Sequence, residues 1–230
     1  MTGTGRTGNA TTFWASLGAA DRAELSRLGT NVVRPADTQL LAQGEASDYL
    51  IVVLHGWIKV AAHSSGGYRA LLALRGPGDL LGEQAGLEGR RRGASLHTAT
   101  DVSLLQVTAD RFGELARRRS SVGRSVEQSL SRRLREADVQ RAGITEPVSV
   151  RLAAVLLDLC ERCGEPGRGP GEVRIGLPLS QDDLAGLVLS SRRSVSRVLE
   201  DWRGRGVIVT GRRSLSVMSV DRLKMLGSDG

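Results

Sequence analysis

The chemistry that stands out in this sequence is carried by arginines and serines crowded between Ser190 and Trp202, where Arg192, Arg193 and Arg197 alternate with Ser191, Ser194 and Ser196. A guanidinium is a planar fork of donors that matches the paired acceptors on a guanine edge, and hydroxyls donate to phosphate or base edges. Such a set can read nucleic acid only if one rigid element presents it on one face. Val195, Val198, Leu199 and Trp202 recur at i, i+3, i+4 and i+7, which makes them one apolar stripe of a helix. At about 100° per residue, Arg193 and Arg197 fall on the opposite face with Ser196 beside them, and Arg192 stands at the N-terminal end.

The elements that must hold this helix are legible on either side. Ser180-Gln181-Asp182-Asp183 is a serine cap with an acid three residues on, followed by Leu184, Leu187 and Val188. That predicts a first short helix, with Ser180 as a candidate contact at its start. Two short helices joined by a few residues, the second cationic, form a helix-turn-helix whose second helix enters the major groove. Gly204 and Gly206 end that helix. Val207-Ile208-Val209 then faces Leu215-Ser216-Val217 across Gly211-Arg212-Arg213-Ser214, a small hairpin or wing whose tip offers Arg212 and Arg213.

Leu179-Ser180-Gln181-Asp182-Asp183-Leu184-Ala185, with Ser191-Arg192-Arg193-Ser194-Val195-Ser196-Arg197-Val198-Leu199, resembles the winged helix of the Crp–Fnr family of bacterial transcription factors. The resemblance implies double-stranded DNA with an inverted-repeat operator as partner, a homodimer, and RNA polymerase as a candidate further partner. It places Arg192 and Arg197 at positions that read guanine, and Arg193 where the cyclic-AMP receptor has a glutamate. Glutamate accepts from cytosine whereas arginine donates to guanine, so a different operator is expected. Leu189 stands at the turn position where the family uses a left-handed glycine.

From Val32 to Val107 short β-rich runs are broken by glycine: Gln39–Ala42, Tyr49–Leu54, Trp57–Ala61, Tyr68–Leu74 and Val102–Val107. Such spacing predicts a small barrel or jelly roll. Gly56 and Gly78-Asp79-Leu80-Leu81-Gly82-Glu83 extend the resemblance to the family's cyclic-nucleotide-binding β-roll. Gly82 and Glu83, followed by Arg92, have the spacing of a phosphate cassette: glycine admits backbone N–H groups and arginine pairs with phosphate. In the family the glutamate takes the ribose hydroxyl. Gly93 replaces the usual serine or threonine, and Ala137 and Asp138 lack the hydroxyls that contact adenine. Cyclic AMP or another cyclic nucleotide held weakly, and a cassette that holds none, both remain open.

Asp110 to Gly143 predicts one long helix capped by Asp110. Val122, Val126, Leu130, Leu134 and Ala137 make a narrow stripe among arginines, the pattern of a coiled-coil dimer seam, with packing onto the β-roll as the alternative. Val148 to Cys163 predicts the first helix of the DNA-binding domain, 165–171 a loop, and 172–177 a short strand. The expected fold is α+β: a disordered tail over 1–12, a jelly-roll-like β-roll over 13–109, a dimerisation helix over 110–143 and a winged helix over 144–230.

The formal net charge of +7 suits a polyanionic partner. Two cysteines and the lack of an N-terminal apolar segment suggest neither a disulfide scaffold nor secretion, and no run approaches a membrane span, so a cytoplasmic protein with no membrane partner is expected. Cys160-Glu161-Arg162-Cys163 alone is too little for a four-ligand metal site, leaving a thiol switch as one alternative function. A nucleotide-binding module acting on protein partners is another. His55, His63 and His97 read as ordinary β-roll positions, and no nucleophile–base set points to an enzyme.

Overall fold

The computed structural model describes residues 11–63, 69–211 and 213–227. Helices α1 (Phe13–Ser16) and α2 (Ala19–Leu28) lead into strands β1 (Thr30–Arg34), β2 (Gln39–Leu41), β3 (Tyr49–His55), β4 (Ile58–His63), β5 (Arg69–Arg75) and β6 (Leu80–Leu81). Helix α3 (Glu83–Glu88) precedes β7 (Ser95–Thr98) and β8 (Val102–Thr108). The strands form two antiparallel sheets, ordered β1-β8-β3-β6 and β2-β7-β4-β5.

Strand β3 reads as a continuous apolar run because both of its faces are covered. Ile51 and Val53 point between the sheets, where they meet Leu41, Ile58, Leu96 and Leu104. Leu50 and Val52 point the other way, into a layer made by Phe13, Leu25, Phe112 and Leu115. The β-roll is thus a sandwich with one sheet backed by helices. Thr12, expected in the unstructured tail, belongs to this fold: its hydroxyl caps α1 by accepting from the Ala15 N–H at 3.3 Å. Residues 1–10 of that tail lie outside the described residues.

The helix expected over 110–143 is two, α4 (Ala109–Arg118) and α5 (Ser120–Ala142), and Thr108 rather than Asp110 stands at the first cap position. Arg119 leaves the helical region, with φ −120° and ψ 93°. The break lets Phe112 and Leu115 of α4 and Val122 and Val126 of α5 reach one cluster from different directions. Arg119 itself pairs with Glu24 at 3.0 Å. Neither glycine nor proline stands there, so the local pattern gave no signal.

A 3-10 turn (Gly143–Thr145) leads to α6 (Val148–Cys163), β9 (Gly164–Pro166), β10 (Val173–Ile175), α7 (Gln181–Leu187), α8 (Arg192–Gly204), β11 (Ile208–Thr210), β12 (Leu215–Val217) and α9 (Val220–Leu226). The sheet order is β11-β12-β10-β9. Glu165 and Pro166, expected in a loop, form edge strand β9 against β10. Proline is tolerated there because an edge strand has a side with no ladder to donate to. No helix among the described residues is long and apolar enough to cross a membrane.

Candidate DNA interface and effector cassette

Helix α7 opens with the reciprocal bonds its sequence predicts. The Asp183 N–H donates to Ser180 Oγ at 3.0 Å, and the Ser180 N–H donates to Asp183 Oδ2 at 2.9 Å. Leu189 then adopts φ +49°, the left-handed conformation usually given to glycine. It closes a Schellman motif: the Leu189 N–H reaches the Gly186 carbonyl at 3.2 Å and the Ser190 N–H reaches that of Ala185 at 2.9 Å. The turn geometry is therefore kept, with strain of about 1–2 kcal/mol for a residue that carries a Cβ. Leu189→Gly should raise stability by about 1 kcal/mol in urea unfolding, glycine's extra chain entropy offsetting part of the relief. A destabilised variant would show that the half-exposed leucine side chain matters more than its backbone.

Ser191 caps α8 by accepting from the Ser194 N–H at 3.1 Å. Val195, Leu199 and Trp202 are buried, while Arg192, Arg193 and Arg197 on the same helix are exposed. Arg192 approaches Asp182 at 3.7 Å, but both side chains are solvated and such a pair is worth little. Ser196 donates to Glu200 Oε1 at 2.9 Å. The helix ends in a second Schellman motif, with Gly206 at φ +64° and the Val207 N–H on the Trp202 carbonyl at 2.8 Å. The wing pairs Ile208 with Val217 and Thr210 with Leu215. At its tip Arg213 faces Asp37 of the β-roll at 3.5 Å, and Arg212 lies outside the described residues.

The cassette residues also meet, but largely one another. Gly82 has φ +78°, which favours glycine, and a Cβ there would lie 2.7 Å from Arg92 Nη1. Arg92, 3% exposed, donates from Nη1 to the Gly82 carbonyl at 2.6 Å and from Nε to Ser47 Oγ at 2.7 Å. Its Nη2 donates to the carbonyls of Ser47 at 3.1 Å and Tyr49 at 2.5 Å, and its guanidinium lies 5.5 Å from the Tyr49 ring centre. Burial holds this guanidinium below its ordinary pKa, although Tyr49, Glu45 and Glu83 oppose the shift. Glu83 Oε1 accepts from Arg133 Nη1 of α5. Around them is a cavity of about 520 Å³ whose walls include Leu72 of β5, Glu83, Arg133, Ala137 and Leu189. The groups suited to ribose and phosphate are thus already engaged inside the chain.

A family model described as a cyclic nucleotide-binding domain matches residues 32–119, and one described as a Crp-like helix-turn-helix domain matches residues 150–226. A CRP-like cAMP-activated global transcriptional regulator of Mycobacterium tuberculosis is 30% identical over 190 residues, covering 82% of this chain and 84% of that one. The chain belongs to the Crp–Fnr family. A cyclic AMP receptor protein of Thermus thermophilus is 32% identical over 184 residues, covering 80% of this chain and 81% of that one. The solved structure of FixK2 from Bradyrhizobium japonicum has the same fold, with a TM-score of 0.73, 22% identity and coverage of 88% of this chain and 98% of that one. Members of this family are DNA-binding transcription regulators, not enzymes.

In this Crp–Fnr protein the DNA-binding domain shares its core with the β-roll. The register between β4 and β5 shifts so that Val60 faces Ala73 and Ala61 faces Leu71, leaving Leu72 as the extra residue of a bulge. The bulge brings Leu71 and Leu74 to one face, where both join Leu184, Ala185 and Leu187. Gly186 of α7 lies on the Leu71 backbone so closely that a Cβ would come within 2.6 Å of its nitrogen. Lys59 donates to the Pro178 carbonyl at 2.7 Å and to Asp183 Oδ2 at 2.8 Å. Burial alone would raise the Asp183 pKa, but Lys59 and the Ser180 N–H outweigh it and the carboxyl sits below its usual range. Arg162 stacks 5.1 Å from the Trp57 ring centre.

The apolar stripe of the long helix divides. Val122 and Val126, at 0% and 7% exposure, lie in the protomer's own core with Leu130 packed at its edge, whereas Leu134 is 60% exposed. Ala137 lines the cassette cavity. Burial pushes the thiol of Cys160 up to about 11 and that of Cys163 up to about 12. Among the described residues no group of three His, Cys, Asp or Glu could hold a metal. Ser47, Tyr49, Lys59, Arg133 and Gly186 were not foreseen as site residues. Each acts through a partner distant in sequence, which periodicity does not encode.

Proposed function

We propose that this transcription regulator binds DNA as a homodimer, using both copies of α8 on an inverted repeat, and that it does so without a bound cyclic nucleotide. The observation carrying the DNA reading is that Arg192, Arg193 and Arg197 stand exposed on a helix whose opposite face, Val195, Leu199 and Trp202, is fully buried. A helix fixed this firmly can hold bidentate donors at base edges. The dimer reading is supported by Leu134 and Ile144, which stand 60% and 55% exposed on α5 and the 3-10 turn that follows it. Large apolar side chains at heptad-like spacing on a charged helix are suited to a second copy.

The nucleotide-independent reading is supported by the bonds of Arg92 to Gly82, Ser47 and Tyr49 and of Glu83 to Arg133. A thiol switch has no such support, because burial pushes both thiols up, to about 11 and about 12, and so keeps them protonated and poorly nucleophilic at neutral pH. Selecting bound sites from a random duplex pool, with no nucleotide added, tests the proposal. The enriched sequence is expected to be an inverted repeat with half-site centres about 10–10.5 bp apart. No enrichment, or enrichment only when cyclic AMP is present, would contradict it.

A further inference from the structure

A second cavity, of about 410 Å³, lies inside the DNA-binding domain and shares no wall residue with the cassette. Its floor is made of leucines: Leu156 and Leu159 of α6, Leu184 of α7 and Leu199 of α8, none more than 3% exposed. Its rim is polar, formed by Arg203 in the last turn of α8, Thr210 of β11, and Arg213 and Ser214 of the wing. The Gly211 N–H donates to the Ser214 carbonyl at 2.8 Å and so closes the wing at this rim. Arg203 donates to Thr210 Oγ1 at 3.4 Å, and no carboxylate among the described residues pairs with it. Arg213 already faces one carboxylate, that of Asp37 at 3.5 Å. Both of those side chains are more than half exposed, so the pair is worth little and is readily exchanged for another.

We propose that this cavity is a binding site for a small monocarboxylate with an apolar tail, and that such a ligand competes with DNA for the wing. The inference goes beyond the proposed function, in which the arginines of this domain meet only DNA. A phosphate of the DNA backbone gains nothing from a floor of leucines, whereas methylene groups gain by leaving water. The volume lies within the range of small-molecule sites, about 300–1,000 Å³, where apolar walls hold the ligand and a few polar groups orient it. A guanidinium fork matches a carboxylate with two parallel bonds, and the rim offers two guanidinium groups. With its tail on the floor and its head at Arg203 and Arg213, one ligand would use both parts of the cavity. A carboxylate on Arg213 then withholds a donor from the DNA backbone, and by linkage each ligand weakens the other.

Titration calorimetry with octanoate on the full chain tests the site. The wild type is expected to bind octanoate with a Kd of about 0.1–1 mM, which is what a ligand of about ten non-hydrogen atoms can reach. Acetate lacks the tail and octan-1-ol lacks the charge, so each should bind at least about tenfold more weakly. Arg203→Gln should cost about tenfold in octanoate affinity, and Arg203→Lys, which keeps the charge, should recover part of it. Thr210→Trp places a ring at the rim and should abolish binding. Both positions are exposed, so these variants are expected to fold. No saturable binding up to about 10 mM, octan-1-ol binding as tightly as octanoate, or octanoate binding unchanged in Thr210→Trp would overturn the proposal. In gel shift, saturating octanoate should weaken the preferred duplex on the wild type and not on Thr210→Trp. Octanoate that binds and leaves DNA affinity unchanged would overturn the competition. A wild type that binds no duplex even without octanoate would sink the proposed function, while calorimetry still decides the site.

Discussion

Leu134→Glu is expected to turn a dimer into a monomer and to weaken operator binding by about 10²–10⁴-fold. In the proposed dimer the second half-site would be captured intramolecularly, so the loss of pairing should remove avidity without touching a DNA contact. Glutamate at this position would set like charges against each other across the seam. The protomer itself should stay folded, because Leu134 is 60% exposed and belongs to no core cluster of the described residues. Val126→Glu would be a poor substitute, since Val126 packs with Phe112 and Leu115 and its replacement would bury a charge. Sedimentation velocity and gel shift on Leu134→Glu read the two effects together. An unchanged dimer, or a wild type that is already monomeric, would contradict the dimer reading.

What could be read in the sequence follows the range of the forces involved. The winged helix was legible in detail because caps, stripes and glycine stops are local: Ser180 with Asp183, Ser191 with Ser194, and Val195 with Leu199 and Trp202 all lie within two turns of one another. The β-roll was legible as a class but not in its layers, since the run Leu50–Val53 does not say which side chains face the second sheet and which face the helices. The break at Arg119 was hidden because tertiary packing, not a helix-breaking residue, imposes it. Half of the coiled-coil stripe proved to be core for the same reason: periodicity shows that Val122 and Val126 are buried, not by what.

The cassette shows the limit most clearly. Gly82, Glu83 and Arg92 were found by spacing and are brought together as expected, yet their bonds to Ser47, Tyr49 and Arg133 were not legible there. Arg133 lies 50 residues from Glu83, and nothing in a charged helical run marks one arginine as turned inward. Leu189 is the converse case. A departure from glycine cast doubt on the turn, but the backbone keeps the left-handed conformation, held by its own hydrogen bonds and by Arg151, which donates to the Val188 and Leu189 carbonyls.

Base reading by α8 is the claim on which the account depends. Arg192 and Arg197 are exposed and have no strong partner among the described residues, so replacing either leaves the protein's fold undisturbed. Each alanine variant should lose about 1–3 kcal/mol on the preferred duplex, and discrimination should vanish at one base pair while persisting at the rest. Arg213→Ala in the wing is the control: it should weaken every duplex alike and lower the salt slope by about one unit, as a phosphate contact does. The decisive measurement is therefore a titration of Arg197→Ala against the preferred duplex and each of its single-base-pair variants. The account predicts a loss of specificity confined to one position of each half-site, and a uniform loss on every duplex would contradict it.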